Sequence, residues 1–299
     1  MSDHVSQRLQ ALESRCSNAG RWGSDDELGT LNLITADVRR RAAGLVQEGV
    51  SVSLASEMSL PPTQRSDLLV EHTIDLEPEV PDAVVDQITL DIHGWGTHLD
   101  ALGHFHLRGV AYNDRRVDTV LGLEGLRRLS VTAMRDGIFT RGILLDIAQL
   151  RGVEWLDPTE FVTADDLDRA EQAVGLTVES GDALIVHVGL DARLSAHPDA
   201  APRYRAGLDT SAVLWLRERD VAIFGGDCIE RLPSDDPDLD LPLHQLGLAR
   251  MGLTFLEWLA LDRLVRAVER FGRSEFLLTA APLVITSGTG SPLNPLATF

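Results

Sequence analysis

From about Arg116 to Ala280, short runs rich in Val, Ile and Leu alternate with amphipathic stretches of helical length. This alternation is the strongest constraint on the fold. A short apolar run between helical segments reads as a buried strand, and such strands alternating with helices of roughly ten residues indicate an α/β domain. The pattern predicts strands at Ala183–Val188, Val221–Phe224 and Phe276–Ala280. It predicts helices after Thr163, after Thr210 (Ser211–Arg219) and over Asp262–Phe271. Thr163 precedes Ala164-Asp165-Asp166, which puts acids in a first turn where the helix dipole favours them. The fold class is α/β.

The first third reads differently. Between Val50 and Asp100 the pattern is extended and irregular, with strand-like runs at Ser51–Ser56, Val70–Leu76 and Val84–Ile92. Turn clusters separate them at Pro61-Pro62 and from Pro78 to Pro81. Pro233 to Asp238 reads as a surface loop. No internal repeat or low-complexity linker divides the chain. Its 299 residues, 44% hydrophobic, are therefore read as one domain with an N-terminal arm through Leu33.

Charge narrows the function. The chain has 46 acidic and 27 basic residues, every basic one is Arg, and there is no lysine. Schiff-base chemistry and lysine-dependent phosphate loops are excluded. So acidic a chain repels phosphate backbones and anionic lipid, so neither nucleic acid nor a membrane surface is expected as a partner. No run approaches the length of a membrane span. The start Met1-Ser2-Asp3-His4 lacks a signal layout, and Cys16 and Cys228 lie far apart without ligand spacing. A reducing, cytoplasmic location is expected.

Histidine is concentrated in one place. Four of nine histidines (His93, His98, His104 and His106) fall between residues 93 and 106, where random scatter would place fewer than one. On an extended segment His98 and Asp100 share a face, and imidazole plus carboxylate at that spacing can chelate Zn²⁺ or Mn²⁺. Gly96 and Gly103 flank them and let backbone approach a ligand. His104 lies four residues past Asp100, one helical turn if a helix or tight turn begins there. The alternative is a set of ordinary polar residues on a solvated loop. His106 is left at the surface or behind the site.

A second segment offers further ligands. Pro242 to Trp258 reads as a short helix from Leu243 to Arg250, a turn at Gly252 and a strand from Leu253 to Trp258. Glu257 stands alone in that apolar strand, which is costly unless its carboxylate is paired or metal-bound. His244 at the helix start can face it. An ion pair between Glu257 and one of the arginines is the competing reading. His187, inside the strand Leu184–Gly189, is either a satisfied core histidine or a substrate contact at a strand end. Asp227, closing the next strand, is a support or a loop anchor. Trp22, Trp95, Phe105 and Trp258 either line a pocket for a flat or cyclic substrate or simply pack the core.

The run Thr97-His98-Leu99-Asp100-Ala101-Leu102-Gly103-His104-Phe105 resembles the signature of the cyclase-like metal-dependent hydrolases, which include bacterial kynurenine formamidase and isatin hydrolase. Two end segments extend the resemblance, Arg21 to Thr35 and the closing loop Ser287 to Pro295. It implies a compact single domain of the swivelling β/β/α kind, one or two divalent ions, and homodimers or homotetramers with sites near subunit contacts. It also implies a metal- or substrate-facing pair at His244 and Glu257. One departure matters. Relatives carry a metal-binding His four residues before the position of His98, and that position here is Gly94. The nearest imidazole, His93, would point away on a regular strand unless a bulge at Gly94 or Gly96 turned it inward.

Together these readings give a ligand set of His93, His98, Asp100, His244 and Glu257, with His104 and Glu257 as catalytic residues. Trp22, Trp95, Phe105 and His187 are the substrate-side candidates. A divalent ion lowers the pKa of bound water and polarises a carbonyl, and His104 is placed to move protons. The expected function is hydrolysis of a small cyclic or aromatic amide, lactam, lactone or ester. A metal-dependent cyclase or dehydratase of secondary metabolism is the alternative from the same chemistry. A non-catalytic small-molecule binder on the same scaffold is a third, motivated by Gly94. A serine hydrolase is disfavoured because no G-x-S-x-G elbow occurs, and no sequence feature sets a His against Cys228 as a thiol nucleophile.

Overall fold

The structure, a computed structural model, describes residues 6–57, 71–76, 82–94, 96–201, 204–234 and 236–299. The strands of its main sheet are, in chain order, β1 (Ser51–Ser53), β2 (His98–Asp100), β3 (Ile138–Asp146), β4 (Ala183–His187) and β5 (Ile223–Gly226). They continue with β6 (Thr254–Glu257), β7 (Glu275–Ala280), β8 (Gly290–Pro292) and β9 (Leu296–Thr298). Across the sheet the order is β1-β9-β7-β3-β4-β5-β6-β2-β8. The middle four, β3 to β6, run parallel, and every other pairing is antiparallel.

The parallel core follows from the expected alternation. β4 is buried at every position, as a strand covered on both faces must be. The helix Ala164–Val174 leads into it, opened by a Thr163 capping box that Asp166 completes. The next helix spans Thr210–Glu218, capped by Asp209 rather than by Thr210 as predicted. Both residues suit a cap, but the Asp209 carboxylate accepts from the backbone of Ser211 and Ala212. The helix Asp262–Phe271 has the predicted bounds and buries Leu264 and Ala267. One contiguous core joins these helices to both faces of the sheet.

The first third departs from its reading. Only Ser51–Ser53 of the first run joins the sheet. The second and third runs pair as a separate hairpin, Glu71–Leu76 with Val84–Thr89, which exposes Ile74, Leu76, Val84 and Ile88. Val70, Pro61-Pro62 and Pro78 to Pro81 lie outside the described residues, as does Asp235 of the Pro233–Asp238 loop. In that loop Asp236 is tied to Arg8 and to the Thr210 hydroxyl. From Ser6 onward the N-terminal segment lies against its own chain. Leu9 and Cys16 of the helix Gln7–Cys16 are buried, the Asn18 amide donates to the Met251 carbonyl at 2.8 Å, and the Thr30 hydroxyl donates to the Ala222 carbonyl at 2.8 Å.

Between β5 and β6 the chain forms a widened π-type helix, His244–Met251, a form found mostly at functional sites. Gly252 ends it at φ 69°, in the left-handed region. A β-carbon there would come 2.4 Å from the Tyr112 ring. Gly252→Ala is therefore expected to destabilise the protein by about 2 kcal/mol, from overpacking and backbone strain together. Thermal unfolding of the two proteins checks this, and an unchanged melting temperature would contradict the packing described.

Candidate metal centre

Strand register assembles the site. β2 and β6 pair antiparallel with Glu257 opposite His98 and Leu256 opposite Leu99. Side chains alternate along a strand and directly opposed residues share a face. His98, Asp100 and Glu257 therefore project together while Leu99, fully buried, points into the core. The Thr254 hydroxyl donates to the Asp100 carbonyl and locks the two strands.

The two flanking histidines come from turns. β2 is only three residues long, so His93 precedes it on a turn and strand parity does not govern its direction. No strand bulge is needed. His93 Nδ1 lies 3.1 Å from Asp100 Oδ1, and its Nε2 meets the Thr289 hydroxyl at 2.8 Å. His104, on the turn after β2, stacks flat on His93 with ring centres 3.6 Å apart. Imidazole thus stands on the site side despite Gly94.

Asp100 is the centre of the cluster. It is fully buried, yet neither carboxylate oxygen has a hydrogen-bond partner among the described residues, and His93 Nδ1, though close, is also unsatisfied. A carboxylate in that state is costly unless a cation completes it. Two groups of donors share it: His93, Asp100 and His104, and His98, Asp100 and Glu257. Carboxylate oxygens and imidazole nitrogens are the donor types of zinc and manganese sites, so the residues fit a divalent ion. His98 Nδ1–H donates to the Gly96 carbonyl at 2.8 Å, which leaves Nε2 facing inward.

The protein's own charges reinforce this. Burial alone would raise Asp100, but His93 and His98 outweigh it and hold the carboxyl well below its usual value. Burial likewise disfavours charge on His98, and Asp100 with Glu257 overcomes that, raising it to about 9. At His104, burial outweighs the pull of Asp100 and Glu257, with His93 and His244 adding to it, and drives the imidazole down to about 4.

His244, expected as a ligand, is held otherwise. Nδ1 meets Glu230 Oε1 at 2.7 Å, Nε2 meets Glu257 Oε1 at 2.6 Å, and Asp100 Oδ2 lies 3.6 Å from Nε2. With both nitrogens engaged by carboxylates, it stands outside the two donor groups. Burial opposes its charge, but Glu230 and Glu257 raise it well above the ordinary value. Glu230 is fully buried, and its other oxygen accepts from the backbone of Leu243 and His244 at 3.0 and 3.1 Å. Sequence reading missed Glu230, which lies between Asp227 and Arg231 and carries no local signal of a buried acid. It also missed Thr289 and Arg205. The cleft over the cluster holds about 310 Å³ and is lined by His93, His98, His104, Arg205, Glu257 and Trp258, among others.

A Cyclase family, described as "Putative cyclase", matches residues 42–231, a span that includes the histidine cluster and Glu230. The chain belongs to this family. A solved structure described as a novel cyclase is 27% identical over 95% of this chain and 100% of its own, with TM-score 0.85. Isatin hydrolase A from Ralstonia solanacearum is similar at 23% identity and TM-score 0.58, covering 99% and 98%. A "predicted metal-dependent hydrolase" from Bacillus stearothermophilus is similar at 15% identity and TM-score 0.51, covering 83% and 97%. None of the curated proteins matches the sequence. The family match and the 27%-identical structure are both described as cyclases, and the expected α/β fold of the cyclase kind is the one observed.

The remaining site candidates of this Cyclase-family chain divide. Phe105 stands beside the cluster, its ring 4.9 Å from that of His244. Trp22 lies under the Arg21 guanidinium, which pairs with Asp220, and it is not among the residues lining the cleft. Trp95 lies outside the described residues. Cys228 is fully buried, and burial beside Asp227 holds its thiol well above the usual value, so it is no nucleophile.

His187 belongs to a separate buried group rather than to the cleft lining. Its Nδ1 is 3.0 Å from Asp146 and its Nε2 is 3.8 Å from Asp227, which also accepts from the backbone of Val188 and Leu190. Burial would lower its pKa, but Asp227, Asp146 and Asp262 raise it to about 9. The unfolded value is about 6.5, so this stabilisation is complete below that pH and is lost as pH rises through 9. Urea unfolding should show wild-type stability falling between those pH values, relative to His187→Gln, by on the order of 3 kcal/mol. Parallel pH profiles would refute the charged pair.

Proposed function

We propose that this chain is a metal-dependent hydrolase of small cyclic or aromatic amides, lactams, lactones or esters. The observation that carries the reading is Asp100, a buried carboxylate whose oxygens have no hydrogen-bond partner among the described residues, at the junction of two donor groups. His93, His98, Asp100 and Glu257 would hold zinc or manganese. A bound divalent cation supplies a water of lowered pKa and a polarised carbonyl.

The chain's own groups do the rest. The Gly96 carbonyl fixes the His98 tautomer. His104 is neutral near pH 7, so it can take a proton from the attacking water and return it to the leaving nitrogen or oxygen as the acyl bond breaks. Trp258, Leu232 and Leu241 give the cleft an apolar wall suited to a flat substrate. A second reading of His104 rests on its stack against His93, which places it in a donor group with His93 and Asp100. It would then hold a second cation, and His244, kept protonated between Glu230 and Glu257, would be the proton donor to the leaving group.

Homo-oligomer formation is also part of the proposal. The hairpin Glu71–Leu76/Val84–Thr89 leaves Ile74, Leu76 and Val84 each at least 60% exposed, an apolar surface that a second copy would cover. The cytoplasmic location is part of it too, supported by Cys16 and Cys228 being free and buried.

Elemental analysis of wild type and His98→Ala tests the centre. Near-stoichiometric zinc or manganese is expected in wild type, with most of it lost in the variant. Protein that stays empty after metal soaking would sink the hydrolase reading. His104→Ala should cut turnover of a lactone, amide and cyclic-imide panel by about 10²–10⁴-fold at unchanged metal content. A loss of one metal per chain would instead establish the ligand role. For assembly, Ile74→Asp with Val84→Asp should yield monomers in sedimentation, and an unchanged mass would exclude the hairpin as the contact.

A further inference from the structure

We infer that Arg205 is an anion receptor in the cleft, and that the substrate already bears a carboxylate beside the bond that is hydrolysed. The inference rests on the hydrolase reading above and deepens it.

Arg205 lines the same cleft as His98, His104 and Glu257, with its side chain only 5% exposed. A guanidinium stays charged at any pH a protein survives, so its burial must be compensated. The compensation within the chain is incomplete. Its Nε–H is buried and has no hydrogen-bond partner among the described residues. Oε2 of Glu257 stands 3.8 Å from Nη2, beyond hydrogen-bond length. The other oxygen of Glu257 is engaged by His244, and the carboxylate belongs to a donor group for a cation. Once Glu257 holds a cation, its charge is shared and Arg205 is left with still less.

The guanidinium is also held in place. It lies over the Trp258 ring at 4.2 Å, which fixes its plane and leaves its edge of N–H donors for a planar acceptor. Trp258 itself adopts φ 55°, a strained left-handed conformation for a bulky residue, and the Thr97 hydroxyl bonds its carbonyl at 2.7 Å. Strain of this kind persists where the surroundings fix a side chain for use. A planar, charged fork aimed into a cleft matches a carboxylate in two-point fashion. Leu232 and Leu241 line the same cleft and would face the ring or chain carrying that group.

The probes are benzoate and benzamide, equal in shape and different in charge. Titration calorimetry on metal-loaded and chelator-treated protein reads their binding without any turnover. Benzoate should bind more tightly than benzamide, and Arg205→Met should lose about tenfold or more in benzoate affinity in both metal states. Arg205→Lys should recover part of it. Melting temperature and metal content of both variants control for folding and for an intact centre. Equal affinity for the two probes, or benzoate binding unaffected in Arg205→Met, would overturn the inference. Benzoate binding that depends on Arg205 in a protein with no hydrolytic turnover would sustain the receptor while removing the hydrolase reading.

Discussion

The site depends on one buried charge, the Asp100 carboxylate. Asp100 is buried completely and has no hydrogen-bond partner for either oxygen among the described residues, so its charge rests on nearby imidazoles and on any cation that joins them. The surrounding groups are arranged around that charge. His93 and His98 approach from the front, Glu257 comes from the neighbouring strand, and His244 reaches back toward it while anchored by Glu230. The sheet tolerates such a concentration of charge because its interior is apolar on the opposite face of the same two strands, through Leu99 and Leu256.

Placement of the cluster follows from topology. Parallel strands β4, β5 and β6 end on one edge, where His187, Asp227 and Glu257 lie in sequence from strand to strand. The reversal of direction between β6 and β2 is where the donors gather. Ligand sites of open α/β sheets gather at such edges, outside the strand ends. His187 and its aspartates occupy that edge without joining the cleft, so they read as a structural brace beside the chemistry.

Much of this was legible in the chain. Periodicity located the parallel strands β4, β5 and β6 and the helix Asp262–Phe271 but not β3, and period-two alternation alone put His98 with Asp100. The lone acid in an apolar strand marked Glu257. Other features were not legible. Parity argued against His93 because a regular strand was assumed across residues 93–98, whereas the strand begins at His98. Arg205 meets Glu257 across the fold, and no local pattern reports such a pairing. The same holds for Thr289, whose hydroxyl reaches His93 from the other end of the chain. The competing reading of Glu257 as an arginine partner proved compatible with the metal reading, since Arg205 and the donor group share that carboxylate.

The helix His244–Met251 is fastened at both ends by groups far from it in sequence. Its start hangs from Glu230, and its end accepts the backbone and side-chain amides of Asn18 through the Arg250 and Met251 carbonyls. The imidazole of His244 is therefore a lever whose far end is clamped by the beginning of the chain. The N-terminal segment, remote from any reacting atom, becomes part of what holds a proton-bearing ring within 2.6 Å of Glu257. The site at the centre of this molecule is thus mechanically tied to Asn18, just past the end of the helix Gln7–Cys16.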